Sequence, residues 1–467
     1  MINTQRFPHP RPLRIDRYAV VRKLASRELK LTLLISFAHL PLGVLLYNIG
    51  SLAILHPVAV FLVGLYWALK KQFSIERVAL AVAYIIGAEV LWRMAYIPIP
   101  WEFGKFASIA LITISLLNRR LYRVPRLSLI YFVALLPSCL LTLWEFGLGG
   151  SREVLSSIMS GPLLLLFACW FFSNMYISPA ELRRLLTAII VPLISVGAVT
   201  LFYTVTLSDI RFSVESNFLT SGGFGPNQVS AMLGLGVFVA LCCLVIFTNR
   251  VELKFYFGMA TIFFTAQSVM TFSRGGIYNA IGGFLALSLF QARNLSQGVK
   301  RIFPILVLAT TFYLFIFPLL NNFTGGKLQE RFEETGTTNR AEIIWSDVDI
   351  FLANPLFGVG VGISNEYREQ YIGFSAMSHT EFSLMIAEHG AFGLIAILTL
   401  TAMTVTNLVR QRSTQGRALI AATAVWTALF MSNAGMRLAA PSFMWGLTFI
   451  TISMPQSRRD KNRIAVV

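Results

Sequence analysis

Long apolar segments recur along this chain from Leu31 to Met454, and many reach the roughly 20 residues that an α-helix needs to cross a bilayer. Hydrophobic residues make up 55% of the chain and charged residues only 13%, whereas soluble globular proteins carry about 25% charged residues. The apolar segments are continuous, while a transmembrane β-barrel would show short segments that alternate between apolar and polar residues. The sequence therefore predicts an all-α, polytopic membrane helix bundle.

Candidate spans follow one another closely, and their number predicts about 14 transmembrane helices. Their predicted ranges are 31–48, 52–69, 78–97, 103–117, 127–146, 158–176, 185–207, 227–248, 253–272, 276–291, 302–320, 391–409, 418–434 and 438–454. One large polar loop, 321–389, holds ten of the 22 Asp and Glu residues and is predicted to contain amphipathic helices. The predicted organisation is a basic N-terminal arm (1–30), an N-terminal transmembrane bundle (31–224), a core that includes the loop (225–405), C-terminal transmembrane helices (406–454) and a basic tail (455–467).

Positive charge is distributed unevenly along the chain, whose formal net charge is +17. Lys and Arg concentrate in the arm, in the tail and in the loops after even-numbered spans. The positive-inside rule then predicts that both termini are cytoplasmic and that the long loop faces outward. Topology explains the charge better than nucleic-acid binding does, so we expect no nucleic-acid partner. The cysteines lie in apolar segments, which argues against a disulfide framework and a zinc site.

A small set of basic residues falls on the predicted outer side, where membrane insertion disfavours positive charge. Anion binding is one explanation for each of them, and snorkelling from a helix end is the commoner one. The set is Arg93, Lys105, Arg152, Arg211, Arg274, Lys327, Arg331, Arg340, Arg368 and Arg437.

Two turns between spans have distinctive sequences. Residues 271–276, Thr-Phe-Ser-Arg-Gly-Gly, set Arg274 at a membrane boundary before two glycines and a helix N-terminus, which suits a phosphate. A tight turn with a snorkelling Arg is the alternative. Residues 221–228 are rich in Gly, and Asn227 is predicted to cap the eighth span; a simple re-entry loop is the alternative.

The long loop shows periodicity of its own. Residues 341–352 predict an amphipathic helix, and a glycine-rich turn follows at 354–362. These glycines are not a nucleotide-binding fingerprint, because no βαβ unit surrounds them. His379 opens a second amphipathic stretch and is a candidate general base, with Glu381 two residues further on. The alternative is a solvated or capping His.

Together these motifs resemble the O-antigen ligase and polymerase superfamily. The resemblance covers roughly residues 225–405, and the order, spacing and shared outer side of the motifs carry it. The chain departs from the family pattern at Thr380, where Asn is common, and at His389, where a second His is unusual. In chain order the motifs are Ser273-Arg274-Gly275-Gly276, Asn339-Arg340 with Trp345, Pro355-Leu356-Phe357-Gly358-Val359-Gly360, His379 with Glu381-Phe382, and Glu388-His389-Gly390-Ala391-Phe392-Gly393.

The resemblance implies a metal-independent, integral-membrane glycosyltransferase without a cofactor. Its donor would be a glycan linked to undecaprenyl pyrophosphate at the outer face of the bacterial inner membrane, and the outward loop would then be periplasmic. Ligases move the glycan to lipid A-core, and polymerases move it to another lipid-linked repeat unit. The sequence does not decide between the two. Membrane lipids and a chain-length regulator are further expected partners.

The family pattern assigns roles to three residues. Arg274 would hold the donor pyrophosphate, Arg340 would act similarly from the loop, and His379 would activate or position the acceptor hydroxyl. Fixed Arg side chains stabilise a pyrophosphate leaving group without metal, and the outer loops contain no Asp-rich metal motif. The candidate substrate-binding residues, chosen for side, charge and place in the motifs, are Arg211, Asn227, Glu381 and Arg437.

Other functions explain fewer features of the sequence. A polysaccharide flippase or exporter would show internal repeats and a charged central cavity, and ionisable residues are scarce at the span centres. Peptidoglycan polymerases of the shape and division group usually have about ten spans and a catalytic Asp in the large loop. A structural scaffold leaves the outward arginines unexplained. Glu89 and Arg93, four residues apart, are predicted to form a helix-surface ion pair.

Overall fold

A computed structural model describes most of the chain. The described residues are 17–207, 210–248, 250–291, 303, 305–334, 340–374, 378, 380–433 and 435–452. His379, Asn339 and the predicted tail 455–467 lie outside them, as does the first half of the predicted arm.

Helices form nearly all of the described chain, as the sequence predicts. The first α-helix begins at Arg17, inside the predicted arm. In chain order the helices are α1 (Arg17–Asn48), α2 (Leu55–Leu69), α3 (Ile75–Met94), α4 (Phe103–Arg119), α5 (Arg126–Ala134), α6 (Leu136–Ser173), α7 (Pro179–Thr206), α8 (Pro226–Cys242), α9 (Val251–Met270), α10 (Gly275–Gln291), α11 (Ile305–Phe323), α12 (Lys327–Glu333), α13 (Arg340–Ala353), α14 (Ser364–Ile372), α15 (Glu381–Arg410), α16 (Thr414–Asn433) and α17 (Ala439–Gly446).

Seven helical segments of the described chain are long and apolar enough to cross a bilayer. This result confirms a polytopic helical membrane protein, while the count of 14 spans stays a prediction. The segments are Glu28–Asn48, Gly50–Leu69, Arg126–Ser173, Pro179–Thr206, Pro226–Phe247, Ile305–Phe323 and Glu381–Arg410.

The last predicted span, 438–454, is shorter as a helix than its apolar sequence suggests. Helix α17 ends at Gly446, a 3-10 turn follows at Leu447–Phe449, and the short strand β2 (Thr451–Ile452) then pairs in parallel with β1 (Tyr176–Ile177). Every residue of α17 is buried. The apolar side chains of this segment therefore pack inside the protein, which sequence hydropathy does not distinguish from contact with lipid.

Close backbone contacts fix the helices around the N-terminal end of α10. Helix α8 crosses α10 so closely that a Cβ atom on Gly276 would lie 1.9 Å from the backbone oxygen of Ser230. On its other side, α10 packs along α16. Because helices pack at near-crystalline density, glycine permits the close contact with α8, whereas a larger residue would force the two helices apart. The start of α10 is therefore held rigidly between α8 and α16.

The long polar loop folds into helices α12, α13 and α14, and the predicted amphipathic helix 341–352 is confirmed as α13. The glycine-rich turn then packs on the first turns of α15. Val359 and Gly360 donate backbone hydrogen bonds to the carbonyls of Ala387 and Glu388 at 3.1 Å each. Helix α15 breaks at Gly390, whose φ of +59° favours glycine. The two glycine-containing motifs therefore form one folded unit, whose outward orientation stays a prediction.

Candidate functional site

The Thr-Phe-Ser-Arg-Gly-Gly motif forms a strained turn between α9 and α10. Phe272 has a φ of +58°, a region that a bulky residue rarely adopts, although its ring is fully buried. The Thr271 hydroxyl accepts a hydrogen bond from the backbone N–H of Ser273 at 3.1 Å. Such strain persists only where the surroundings enforce it, and it often marks functional sites. Here the turn brings Arg274 to the N-terminus of α10.

Three arginines come together at this turn, and we call Arg274, Arg331 and Arg340 the arginine cluster. Arg331 donates to the Phe272 carbonyl at 3.0 Å and to the Glu334 carboxylate at 2.8 Å, while Arg274 donates to the Glu334 backbone carbonyl. Burial lowers the pKa of Arg340, and the positive charges of Arg274 and Arg331 lower that pKa further. The cluster therefore concentrates positive charge in a partly desolvated place.

Two amides form the floor of the arginine cluster. Arg340 donates to the Asn433 side-chain oxygen at 3.5 Å, and the Asn433 amide donates to the Asn279 side-chain oxygen at 2.9 Å. The buried Nδ2 of Asn279 has no hydrogen-bond partner among the described residues. Buried donors are normally satisfied, so this amide and the neighbouring guanidinium groups suit an anionic ligand with several oxygens.

Asn227 also meets the motif, but not as the predicted helix cap. Helix α8 begins at Pro226, whose fixed φ suits the first helical position, and the preceding residue Gly225 is the N-cap. The Asn227 side chain accepts a hydrogen bond from the Ser273 hydroxyl at 2.8 Å. The prediction of a cap was wrong, and Asn227 instead ties α8 to the turn that carries Arg274.

The chain around Arg211 packs against the strained turn. Its neighbour Phe212 stacks on Phe272, with ring centroids 5.7 Å apart, and Asn217 donates to the Arg211 carbonyl at 3.3 Å. The side chain of Arg211 is exposed. Among the described residues it makes no contact with the arginine cluster that would place it in one site.

A second feature at this end of the bundle is a cavity of about 290 Å³, which we call the carboxylate cavity. It holds both Glu381 and Arg437 of the predicted set. Glu381 accepts a hydrogen bond from the backbone N–H of Met436 at 2.8 Å, and Arg437 donates to the Ser378 carbonyl at 3.0 Å. Burial lowers the pKa of Arg437, and the nearby Glu381 partly offsets this effect. The charged and polar residues that line the cavity are Arg93, Glu102, Ser157, Gln228, Asn365, Ser378, Glu381, Glu388 and Arg437.

Glu89 and Arg93 lie inside the protein, so the prediction of a helix-surface ion pair was wrong. Their side chains are 2% and 4% exposed, and Arg93 donates to Glu89 at 2.7 Å. Glu89 also accepts from the backbone N–H of Ala439 at 2.7 Å, and Arg93 donates to the Arg437 carbonyl at 3.1 Å. Because α3 is covered by neighbouring helices, the pair joins α3 to the segment before α17.

A buried ionic network in the long loop was not foreseen from the sequence. Asp347 and Arg368 are both fully buried and form an ion pair at 2.6 Å. The hydroxyls of Ser378 and Ser383 donate to the same carboxylate at 3.1 and 2.6 Å. Two charged residues 21 positions apart in a polar loop look like surface residues in sequence. In the fold they anchor Ser378 at the carboxylate cavity.

The predicted base His379 lies outside the described residues, but both of its chain neighbours are described. Ser378 lines the carboxylate cavity, and the Thr380 hydroxyl donates to the Ser432 carbonyl at 3.2 Å. His389, the second histidine of the motifs, is buried, and its Nδ1 atom pairs with the Ser138 hydroxyl. A structural partner therefore occupies one ring nitrogen of His389.

The sequence gives little indication of several residues at this end of the bundle. Arg331 carried a signal, because it belongs to the outward basic set, but no motif singled it out. Asn279 and Asn433 carried none, since polar amides within apolar helices are not specific. Within the described part of the chain, no group of three or more His, Cys, Asp or Glu side chains is arranged to hold a metal ion.

Comparison with known families gives a match in the second half of the chain. Residues 259–398 match the family model described as O-antigen ligase. The resemblance to the O-antigen ligase and polymerase superfamily is confirmed. The matched segment runs from α9 to the middle of α15 and includes Arg274, Arg331 and Arg340. It covers less than a third of the chain. No curated protein matches the sequence. The family match supports a membrane glycosyltransferase of the O-antigen ligase and polymerase group.

Proposed function

We propose that this protein transfers or polymerises a glycan from an undecaprenyl-pyrophosphate-linked donor at the outer face of the bacterial inner membrane. The arginine cluster is the observation that carries the proposal. Its guanidinium groups lie beside a helix N-terminus and a buried amide donor, in a segment that matches the O-antigen ligase family. A pyrophosphate carries several anionic oxygens and suits such an array.

In the proposed step, the acceptor hydroxyl attacks the anomeric carbon of the donor glycan and loses its proton to a base, which we assign to His379. The bond from that carbon to the pyrophosphate oxygen breaks, and undecaprenyl pyrophosphate leaves with the bonding electrons. Negative charge grows on the leaving oxygen, where Arg274 and Arg340 stabilise it without metal. Removing one preorganised donor of this kind costs about 10²–10³ in rate in other enzymes.

The other predicted residues take supporting positions in this proposal. Asn227 positions the turn that carries Arg274 through its hydrogen bond from Ser273. Glu381 and Arg437 shape the carboxylate cavity next to Ser378, and we assign this cavity to the acceptor because polar and charged groups line it. Arg211 is assigned to the donor at the exposed rim of the strained turn.

The proposed single displacement inverts the configuration at the anomeric carbon, because it needs one base and one stabilised leaving group. Nuclear magnetic resonance of the product linkage, compared with that of the lipid-linked donor, tests this point. Inversion is expected, and retention would rule out the single displacement.

Complementation of a gene deletion tests the function in cells. Wild type, Arg274→Ala and His379→Ala are compared at equal abundance, with Arg152→Ala as the control, because Arg152 is an exposed outward arginine apart from the cluster. We expect both site variants to lose surface glycan and to accumulate undecaprenyl-linked glycan. Accumulated long chains would identify a ligase, and single repeat units would identify a polymerase. Normal glycan in both variants would contradict the proposal and favour a flippase, exporter or scaffold.

A further inference from the structure

A second basic site lies away from the arginine cluster, in a cavity of about 420 Å³ between α5, the end of α15 and the segment around β2. Three arginines line it: Arg123, Arg126 and Arg410. All three are exposed, and no Asp or Glu lines the cavity among the described residues. Each arginine belongs to a loop or helix end on the side predicted to be cytoplasmic.

The walls of this cavity are held in place by hydrogen bonds. The Arg123 carbonyl accepts from the Ser173 hydroxyl at 3.1 Å and from the Asn174 amide at 3.0 Å. The Asn407 amide donates to the Thr448 hydroxyl at 3.3 Å, which ties the end of α15 to the 3-10 turn before β2. Topology alone requires basic residues in cytoplasmic loops, but it does not require three of them around one braced cavity.

The surface next to the cavity is apolar. Arg126, Ile130 and Val133 are spaced at i, i+4 and i+7, so they share one face of α5. Ile130 and Val133 are 47% and 50% exposed, and Val409, beside Arg410 on α15, is 76% exposed. A ligand held by the arginines would therefore extend its apolar part along lipid-facing helix surfaces.

We propose that this cavity binds the phosphate headgroup of an anionic phospholipid of the cytoplasmic leaflet. The guanidinium groups pair with phosphate oxygens, and the N-terminus of α5 adds backbone N–H groups. The polar side chains of Thr406 and Gln411 meet the rest of the headgroup. The acyl chains run along Ile130 and Val133. The site is independent of glycosyl transfer, since it lies on the other predicted side of the membrane from the arginine cluster.

Native mass spectrometry of the purified full-length protein tests the proposal. The protein is reconstituted in nanodiscs of phosphatidylglycerol or of phosphatidylcholine with the same acyl chains, and the retained lipid is counted. The test variant is Arg123→Gln/Arg126→Gln/Arg410→Gln. The control is Lys70→Gln/Lys71→Gln/Arg77→Gln, which removes the same charge from a loop on the same predicted side that does not line the cavity.

We expect wild type and control to retain phosphatidylglycerol in preference to phosphatidylcholine. The triple variant should bind phosphatidylglycerol roughly a hundredfold more weakly, given the contribution of each basic residue near an anionic surface. Arg410→Gln alone should weaken binding roughly fivefold and serves if the triple variant does not fold. Equal retention by the triple variant, or equal loss in the control, would overturn the proposal. Inorganic phosphate that stabilises the protein as well as phosphatidylglycerol does would overturn the assignment to lipid.

Discussion

The arginine cluster and the carboxylate cavity lie on either side of the segment between α16 and α17. They differ in how positive and negative charges are balanced. In the cavity, acidic and basic side chains occur together: Arg93 lies 3.8 Å from Glu102, and its partner Glu89, outside the lining, is 2.7 Å away. In the cluster, three guanidinium groups meet backbone carbonyls, an amide and the Glu334 carboxylate, and positive charge exceeds negative charge among the described residues. Removing one partner of a buried ion pair is strongly destabilising, whereas an excess of like charge itself costs stability, a cost that the proposed pyrophosphate donor would offset.

The largest expected effect comes from breaking a pair on the cavity side. Asp347→Ala leaves Arg368 buried without its carboxylate, and removing one partner of a buried ion pair costs about 3–5 kcal/mol. We expect low abundance and a much lower melting temperature. Asp349→Ala on the same helix is the control, because Asp349 is exposed. Equal melting temperatures for the two variants would mean that the network does not support the loop.

The arginine cluster should respond in the opposite way. Arg340→Gln removes a cation whose pKa is lowered in the folded state by burial and by two positive neighbours. A base with a lowered folded pKa destabilises the fold wherever it is charged, so the variant should melt at or above the wild-type temperature. Glycan transfer should fall by about 10²–10³. A lower melting temperature with normal transfer would mean that Arg340 stabilises the fold. The arginine cluster would then not differ from the carboxylate cavity in this respect.

A change at the α8–α10 crossing should affect the arginine cluster moderately. Gly276→Ala places a methyl group 1.9 Å from the Ser230 oxygen, so the two helices must separate. Overpacking of this kind costs about 1–3 kcal/mol, and it should displace Arg274. Gly258→Ala in α9 is the control, because the nearest atom would lie 3.8 Å away. Matching melting temperatures and transfer rates for both variants would show that the crossing adapts.

The smallest effect is expected at the rim of the loop. Lys327 and Glu330 form an ion pair at 2.7 Å, but their side chains are 41% and 52% exposed. Exposed pairs contribute about 0–1 kcal/mol, so Lys327→Ala should leave melting temperature and transfer close to wild type. A large loss of transfer without unfolding would extend the functional site to this residue.

The sequence predicted the helical membrane class and the amphipathic helix α13, because hydropathy and periodicity report these features locally. It also singled out Arg274 and Arg340, which lie close together in the fold, while their role stays a prediction. It did not predict that Glu89 and Arg93 are buried or that Asp347 pairs with Arg368, since both depend on which helices cover them. The cap assigned to Asn227 failed for a local reason, because Pro226 begins the helix one residue earlier. The burial of charged residues, and pairs between distant helices, thus emerge only in three dimensions.

Binding of undecaprenyl pyrophosphate to the purified protein tests the central claim most directly, because this ligand is the proposed leaving group without its glycan. Wild type, Arg274→Ala and the exposed control Arg152→Ala are compared, with undecaprenyl monophosphate as the reference ligand. The account predicts that wild type and control prefer the pyrophosphate and that Arg274→Ala binds it about 10–100 times more weakly at an unchanged melting temperature. Wild-type affinity in Arg274→Ala would contradict the assignment of the arginine cluster to the donor.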